Sequence, residues 1–279
     1  MIKVKKVCKD EEEFNENKGE TFETLDEIIL KGEKFEKDGK LQDAAQAFNQ
    51  AALILLEQGD CEKAVDYCLR ALKNYEKLGD EKGIADTSYN LCVAFSSMEK
   101  SEDAIPYCNR ALQIYEKLKE EEGLADAYYG LAVAYLNLGK IENAINFLQK
   151  AIKLYEKLKV IDGAISAYLD LGSSYLDMND VQRAERYFQK ALTIIQEKED
   201  DLSVADTLVT MAEAWEEHGK YVKAVDYYFK AIDKYLEAND TELVEDVMER
   251  IKSLLPEFGK TRAKKIRSLL AEYRSKIKT

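Results

Sequence analysis

Histidine is all but missing from this 279-residue chain: His218 is the only one. It stands at a predicted helix end beside Gly219, with no cysteine or histidine at ligand spacing, which speaks against a zinc site. Proline is nearly as scarce, with two residues, so long helices meet few breaks. No apolar run approaches the roughly 18 residues that span a bilayer. Met1 to Lys9 alternate basic and apolar residues without the long apolar core of a secretion signal. These two absences predict a cytoplasmic protein with no transmembrane segment. No GxxxxGK(S/T), GxGxxG or GxSxG segment occurs. Carboxylates are abundant, but their pattern puts them on solvated surfaces. We therefore expect no catalytic residues, no metal and no cofactor.

The five cysteines form no CxxC pair, and an odd count weakens any fixed disulfide framework. Cys68, Cys92 and Cys108 fall where equivalent segments carry Tyr, Phe, Ala or Gly. They read as small buried hydrophobes in a reducing compartment. Cys8 alone reads as an exposed thiol.

What is present is helix-forming material: 46% hydrophobic and 34% charged residues, dominated by Ala, Glu, Lys and Leu. The spacing predicts an all-α chain. Ala64, Ala104, Ala144, Ala184 and Ala224 recur every 40 residues, and periods of this length mark tandem repeats. Each unit reads as two helices, A then B. The second carries Leu91, Cys92 and Phe95 on A, then Ala104, Cys108 and Ala111 on B. The third has Leu131, Ala132, Tyr135, then Ala144, Leu148, Ala151. The fourth has Leu171, Gly172, Tyr175, then Ala184, Phe188, Ala191. The fifth has Met211, Ala212, Trp215, then Ala224, Tyr228, Ala231. A first unit fits with Ala51, Ala52, Leu55, then Ala64, Cys68, Ala71. Positions three and four apart share one helix face, so each unit has an apolar face that only a neighbour can cover. Gly59-Asp60, Gly139-Lys140, Asn179-Asp180 and Gly219-Lys220 supply left-handed helix ends between A and B. Glu99-Lys100 is the exception, and a less favourable turn is expected there.

This pattern resembles the tetratricopeptide repeat from about Leu41 to Asn239. It departs in period, 40 rather than 34 residues, and it lacks the proline that commonly ends helix B. Tyr75-Glu76-Lys77-Leu78, Tyr115-Glu116-Lys117-Leu118 and Tyr155-Glu156-Lys157-Leu158 extend helix B instead. Six added residues are about 9 Å of helix. The longer unit is similar to that of kinesin light chains, polarity adaptors and bacterial peptide-sensing regulators. The resemblance implies a right-handed superhelical α-solenoid with helix A lining its concave side. The expected organisation is a mobile tail over 1–19, a capping helix over 20–38, five repeats over 41–240, and C-terminal capping helices over 241–279. The helix after Gly39 reads in either role, because Gly39-Lys40-Leu41-Gln42-Asp43-Ala44 mimics an A-to-B turn.

Charge is distributed unevenly along this frame. The five A windows 45–58, 85–98, 125–138, 165–178 and 205–218 contain no Lys or Arg. An even spread of the 41 basic residues would place about ten there. Burial accounts for part of the deficit, but not for the admission of Asp170, Asp177, Glu213, Glu216 and Glu217. The inner positions implied by the resemblance are Asn49, Tyr89, Asn90, Val93, Tyr129, Val133, Asn137, Leu169, Asp170, Asp177, Asp206, Glu213 and Glu217. They predict a partner protein or peptide with basic and apolar residues. The basic clamp by which chaperone-binding members hold an acidic C-terminal tail is missing, so no binding to acidic C-terminal tails is expected. Lys260–Thr279 carries a net +7, leaving −20 for the rest, which disfavours general nucleic-acid binding. That basic stretch reads as a capping helix, as an internal occupant of the acidic groove, or as a contact for an anionic surface. Two alternative functions are a membrane-fusion adaptor similar to soluble NSF attachment proteins and a peptide-responsive regulator of an enzyme. A repeat array can also form homo-oligomers through its ends or its tail.

Overall fold

The computed structural model describes residues 23–197 and 200–277, and every regular element among them is helical. Two compact units divide the chain, Met1–Phe147 and Leu148–Thr279. The first holds α1 (Leu25–Lys37), α2 (Leu41–Glu57), α3 (Cys61–Leu78), α4 (Glu81–Ser97), α5 (Ser101–Leu118), α6 (Glu121–Asn137) and the start of α7 (Ile141–Leu158). The second holds the rest of α7, α8 (Ile161–Asp177), α9 (Val181–Gln196), α10 (Asp201–Glu217), α11 (Tyr221–Glu237), α12 (Thr241–Ser253), a 3-10 turn at Leu255–Glu257, and α13 (Lys260–Ile277). The segment 1–19 and Cys8 lie outside the described residues.

Local chemistry sets the helix ends. The Asp60, Asp80, Asp180 and Asp240 carboxylates accept from the backbone N–H three residues on, at 3.3, 3.0, 3.0 and 3.0 Å. Each satisfies a donor that the first helical turn leaves open. The A-to-B turns close on left-handed residues: Gly59, Gly139, Asn179 and Gly219, with φ of 78°, 67°, 57° and 67°. Glu99 adopts the same conformation, φ 61°, without the advantage of glycine. Lys119 and Lys159 do likewise between a B helix and the next A helix, with φ of 58° and 60°. The alternation of apolar positions gave no sign of these two.

In the hairpins α1–α2, α2–α3, α4–α5, α8–α9 and α10–α11, the two helices meet through a small residue and a partner 16 positions later. A Cβ on Gly172 would lie 2.5 Å from the Phe188 ring, and one on Gly32 would lie 2.7 Å from the Phe48 ring. Ala52 with Cys68 and Ala212 with Tyr228 occupy the same slots, all buried. Gly32 and Phe48 show how the helix after Gly39 behaves: α2 acts as a B helix toward α1 and as an A helix toward α3. In the second hairpin the slot is filled covalently. Cys92 and Cys108 form a disulfide between α4 and α5, their Cα atoms 5.1 Å apart. This corrects the reading of these two as separate reduced hydrophobes. The residues do sit in the buried slot, but the slot brings their sulfurs into bonding range. Cys68 remains a buried free thiol, and desolvation pushes it up to about 12.

The extended B helices have a second use. The rings of Tyr75, Tyr115 and Tyr155 lie on Gly83, Gly123 and Gly163 at the start of the next A helix, where any Cβ would collide. A Cβ on Gly123 would come within 2.5 Å of Tyr115, and one on Gly163 within 2.7 Å of Tyr155. The added length therefore places an aromatic lid eight residues before each glycine.

At the C-terminus, Ala263, Ile266 and Leu270 bury the apolar side of α13. Its Tyr273 ring stacks on Phe229 of α11 with centroids 5.5 Å apart, and the hydroxyl donates to Asp233 at 2.7 Å. The basic helix thus rests on a B helix. Its reading as an occupant of the A-helix face is corrected.

Candidate functional site

The A helices of the first unit, α2, α4 and α6, are tied to one another by side-chain amides. Asn90 Nδ2 donates to Asn49 Oδ1 at 3.0 Å, and Thr87 Oγ1 donates to the same oxygen at 3.3 Å. Asn137 Nδ2 donates to the Ser96 carbonyl at 2.9 Å. In the second unit, His218 Nε2 lies 2.9 Å from Asp177 Oδ1 and its Nδ1 lies 2.8 Å from the Ala214 carbonyl. Three of these links join residues 41 apart, one repeat plus one position, on successive A helices. The structure thus brings Asn49 together with Asn90, and it adds Thr87, Ser96 and His218 to the residues named from sequence. The 41-residue offset was the signal that could have found them.

The other predicted positions divide by exposure. Asn137, Asp177, Asp206 and Glu217 are exposed, and Asn49, Tyr89, Val93, Tyr129, Val133, Leu169 and Glu213 are half-buried. Asn90 and Asp170 are buried. Tyr89 packs against Gly130 of α6. Desolvation pushes its phenol well up, with a further push from the charge of Asp126. Asp206 accepts from the Tyr235 hydroxyl at 2.5 Å, and Asp86 accepts from Tyr115 at 2.8 Å, so one carboxylate position links A to B in two hairpins. Both phenols are raised by desolvation first and by these carboxylates second. In the second unit, the A-helix acids are opposed by Arg250 of α12, which binds Glu216 at 2.7 Å.

The A helices of the first unit thus carry amides, tyrosines and aliphatic side chains, and those of the second carry mainly carboxylates. Among the described residues, no group of three His, Cys, Asp or Glu could hold a metal ion. Nor is any described helix long and apolar enough to cross a membrane.

Residues 83–157 and 163–237 match one tetratricopeptide repeat family, and residues 45–80 match a second of the same description. The chain belongs to the tetratricopeptide repeat family. Its tandem hairpins are also those of solved structures of low identity. BtubC (BKLC) from P. vanneervenii is 20% identical with a TM-score of 0.62, over 78% of this chain and 93% of that one. A Rap protein complexed with competence and sporulation factor is 15% identical with a TM-score of 0.54, over 89% and 76%. Aspartyl phosphate phosphatase F from Bacillus subtilis is 13% identical with a TM-score of 0.56, over 82% and 70%. At these identities the likeness is one of fold. No curated protein matches the chain by sequence. Membership in this repeat family makes protein–protein interaction the general role of the fold.

Proposed function

We propose that this tetratricopeptide repeat chain is a non-catalytic scaffold whose A-helix faces bind a peptide or helix rich in basic and apolar residues. One observation carries the reading: the A windows exclude Lys and Arg while admitting Asp177, Asp206, Glu213 and Glu217 on α8 and α10. Buried helices exclude carboxylates as strongly as cations, so burial alone does not give this one-sided pattern. In the first unit, Tyr129, Val93 and Val133 offer an apolar surface beside Asn49 and Asn137 for backbone or amide hydrogen bonds. In the second unit, the carboxylates attract and orient cationic side chains. The Rap neighbour is described as complexed with competence and sporulation factor, and a comparable binding role for this chain fits its face chemistry.

A peptide array probed with the purified chain tests the reading. Bound sequences are expected to be enriched in Lys or Arg next to aliphatic residues, and Glu213→Gln/Glu217→Gln is expected to cut their binding at least about tenfold. An array showing no charge preference, or selecting acidic sequences that this double variant leaves bound, overturns it.

A further inference from the structure

Beyond the A-helix faces, and independent of them, α11 and α13 leave a wedge-shaped cleft. They meet where Tyr273 stacks on Phe229. Toward the start of both helices lies an open hollow of about 670 Å³, and a smaller one of about 170 Å³ lies along Phe229, Ile266 and Leu269. The larger cavity has an apolar wall of Val181, Tyr221, Val222 and Phe258. Its volume is that of a site able to enclose a bulky side chain with its neighbours.

The rim is cationic. Lys220, Lys223, Lys260 and Arg262 line it with a single carboxylate, Glu257. Lys223 pairs with Glu185 and lies over the Trp215 ring. Lys220, Lys260 and Arg262 have no carboxylate partner among the described residues. Three uncompensated cations around an apolar hollow are unusual in a chain of net charge −13. They call for an occupant that combines an apolar anchor with flanking negative charge.

The chain itself contains such a segment. Residues 10–20 read Asp-Glu-Glu-Glu-Phe-Asn-Glu-Asn-Lys-Gly-Glu: six acids, one lysine and one aromatic residue, Phe14. It lies outside the described fold and precedes α1, whereas the cleft is built by the last helices of the sequence. We propose that the cleft binds the segment 10–20 of a second copy of this chain. Phe14 enters the cavity, and Glu11, Glu12 and Glu13 face Lys220, Lys260 and Arg262. Such head-to-tail pairing uses two different surfaces, so it can extend beyond a dimer. The A-helix faces, which lack a basic clamp, play no part in it.

Sedimentation velocity of the full chain at micromolar concentrations and low salt tests the proposal. The average mass is expected to rise with concentration and to fall as salt is added. Lys260→Glu/Arg262→Glu and Glu11→Lys/Glu12→Lys/Glu13→Lys are each expected to remain monomeric with unchanged helical circular dichroism. Mixing the two variants is expected to restore association, which a folding defect would not do. A labelled peptide of residues 10–20 should bind the wild-type chain at least about tenfold tighter than the Lys260→Glu/Arg262→Glu variant. Wild type that stays monomeric, including the case in which the peptide still binds, overturns the second-copy occupant. Association that survives Lys260→Glu/Arg262→Glu, or a mixed pair that fails to associate, overturns the cleft.

Discussion

The hairpin α4–α5 and the hairpin α8–α9 lie 80 residues apart in one repeat frame, and they solve the same problems with different chemistry. At the helix contact, the former places Cys92 and Cys108, joined as a disulfide, and the latter places Gly172 under the ring of Phe188. At the turn, one strains Glu99 and the other uses Asn179. On the A face, Asn90 gives way to Asp170. Between A and B, Tyr115 holds Asp86, whereas the corresponding positions in α8 and α9 are Ser166 and Ile195. The frame therefore constrains the slot's combined size and the turn's handedness. It leaves the chemistry of the A face open, which is where a ligand can impose its own demands.

Covalent and packed slots can be interchanged to test this. Cys92→Ala/Cys108→Ala is expected to lose about 3 kcal/mol under oxidising conditions, the scale for a crosslink spanning about 15 residues. Cys92→Gly/Cys108→Phe, which copies the fourth hairpin, is expected to recover a large part of that loss and to make the stability indifferent to reductant. Urea melts with and without dithiothreitol measure both. Gly172→Ala is expected to cost about 1–3 kcal/mol through the clash with Phe188. Adding Phe188→Leu to that variant should reduce the cost; a double variant no better than the single places the strain elsewhere.

The turns predict a smaller difference. Glu99→Gly is expected to stabilise the chain by about 1 kcal/mol, because a left-handed glutamate is replaced by a residue that carries no Cβ. Asn179→Gly should gain less, since asparagine tolerates that region. Thermal melts of the two variants give the comparison directly.

The tyrosine link predicts the smallest effect, seen only in alkali. The folded-state phenols of Tyr115 and Tyr235 are raised above the ordinary value of 10.0, by desolvation and then by Asp86 and Asp206. Their contribution is complete below pH 10 and is lost as pH rises through the folded values, because the unfolded chain gives up these protons first. Stability followed by circular dichroism should decline above pH 10. Tyr115→Phe should flatten part of that decline; an unchanged slope would remove Tyr115 from the explanation.

Much of this frame was legible from spacing. The Ala64 to Ala224 ladder gave the helix pairs, and the Gly or Asn before α3, α7, α9 and α11 gave four of the turns. The disulfide was missed because Cys92 and Cys108 were weighed one at a time against equivalent positions. Their separation of 16, the same as Gly172 to Phe188, would have placed them face to face. The glycines under Tyr75, Tyr115 and Tyr155 were missed for a related reason: they precede the apolar stripe and carry no side chain to join it. In the A helices, the absence of Lys and Arg was legible in the sequence. Spacing did not reveal that Asn49, Asn90, Asn137 and Asp177 already hold neighbouring helices together, because hydrogen bonds between polar groups leave no periodic hydrophobic trace.

The affinity of a synthetic peptide of alternating lysine and leucine, measured by isothermal titration calorimetry at two salt concentrations, addresses the A face most directly. Wild type is expected to bind it at low salt and more weakly at high salt. In Glu213→Gln/Glu217→Gln, binding should fall at least about tenfold with most of the salt dependence gone. Equal affinity in wild type and this variant, at both salt concentrations, would contradict the assignment of those carboxylates to ligand recognition.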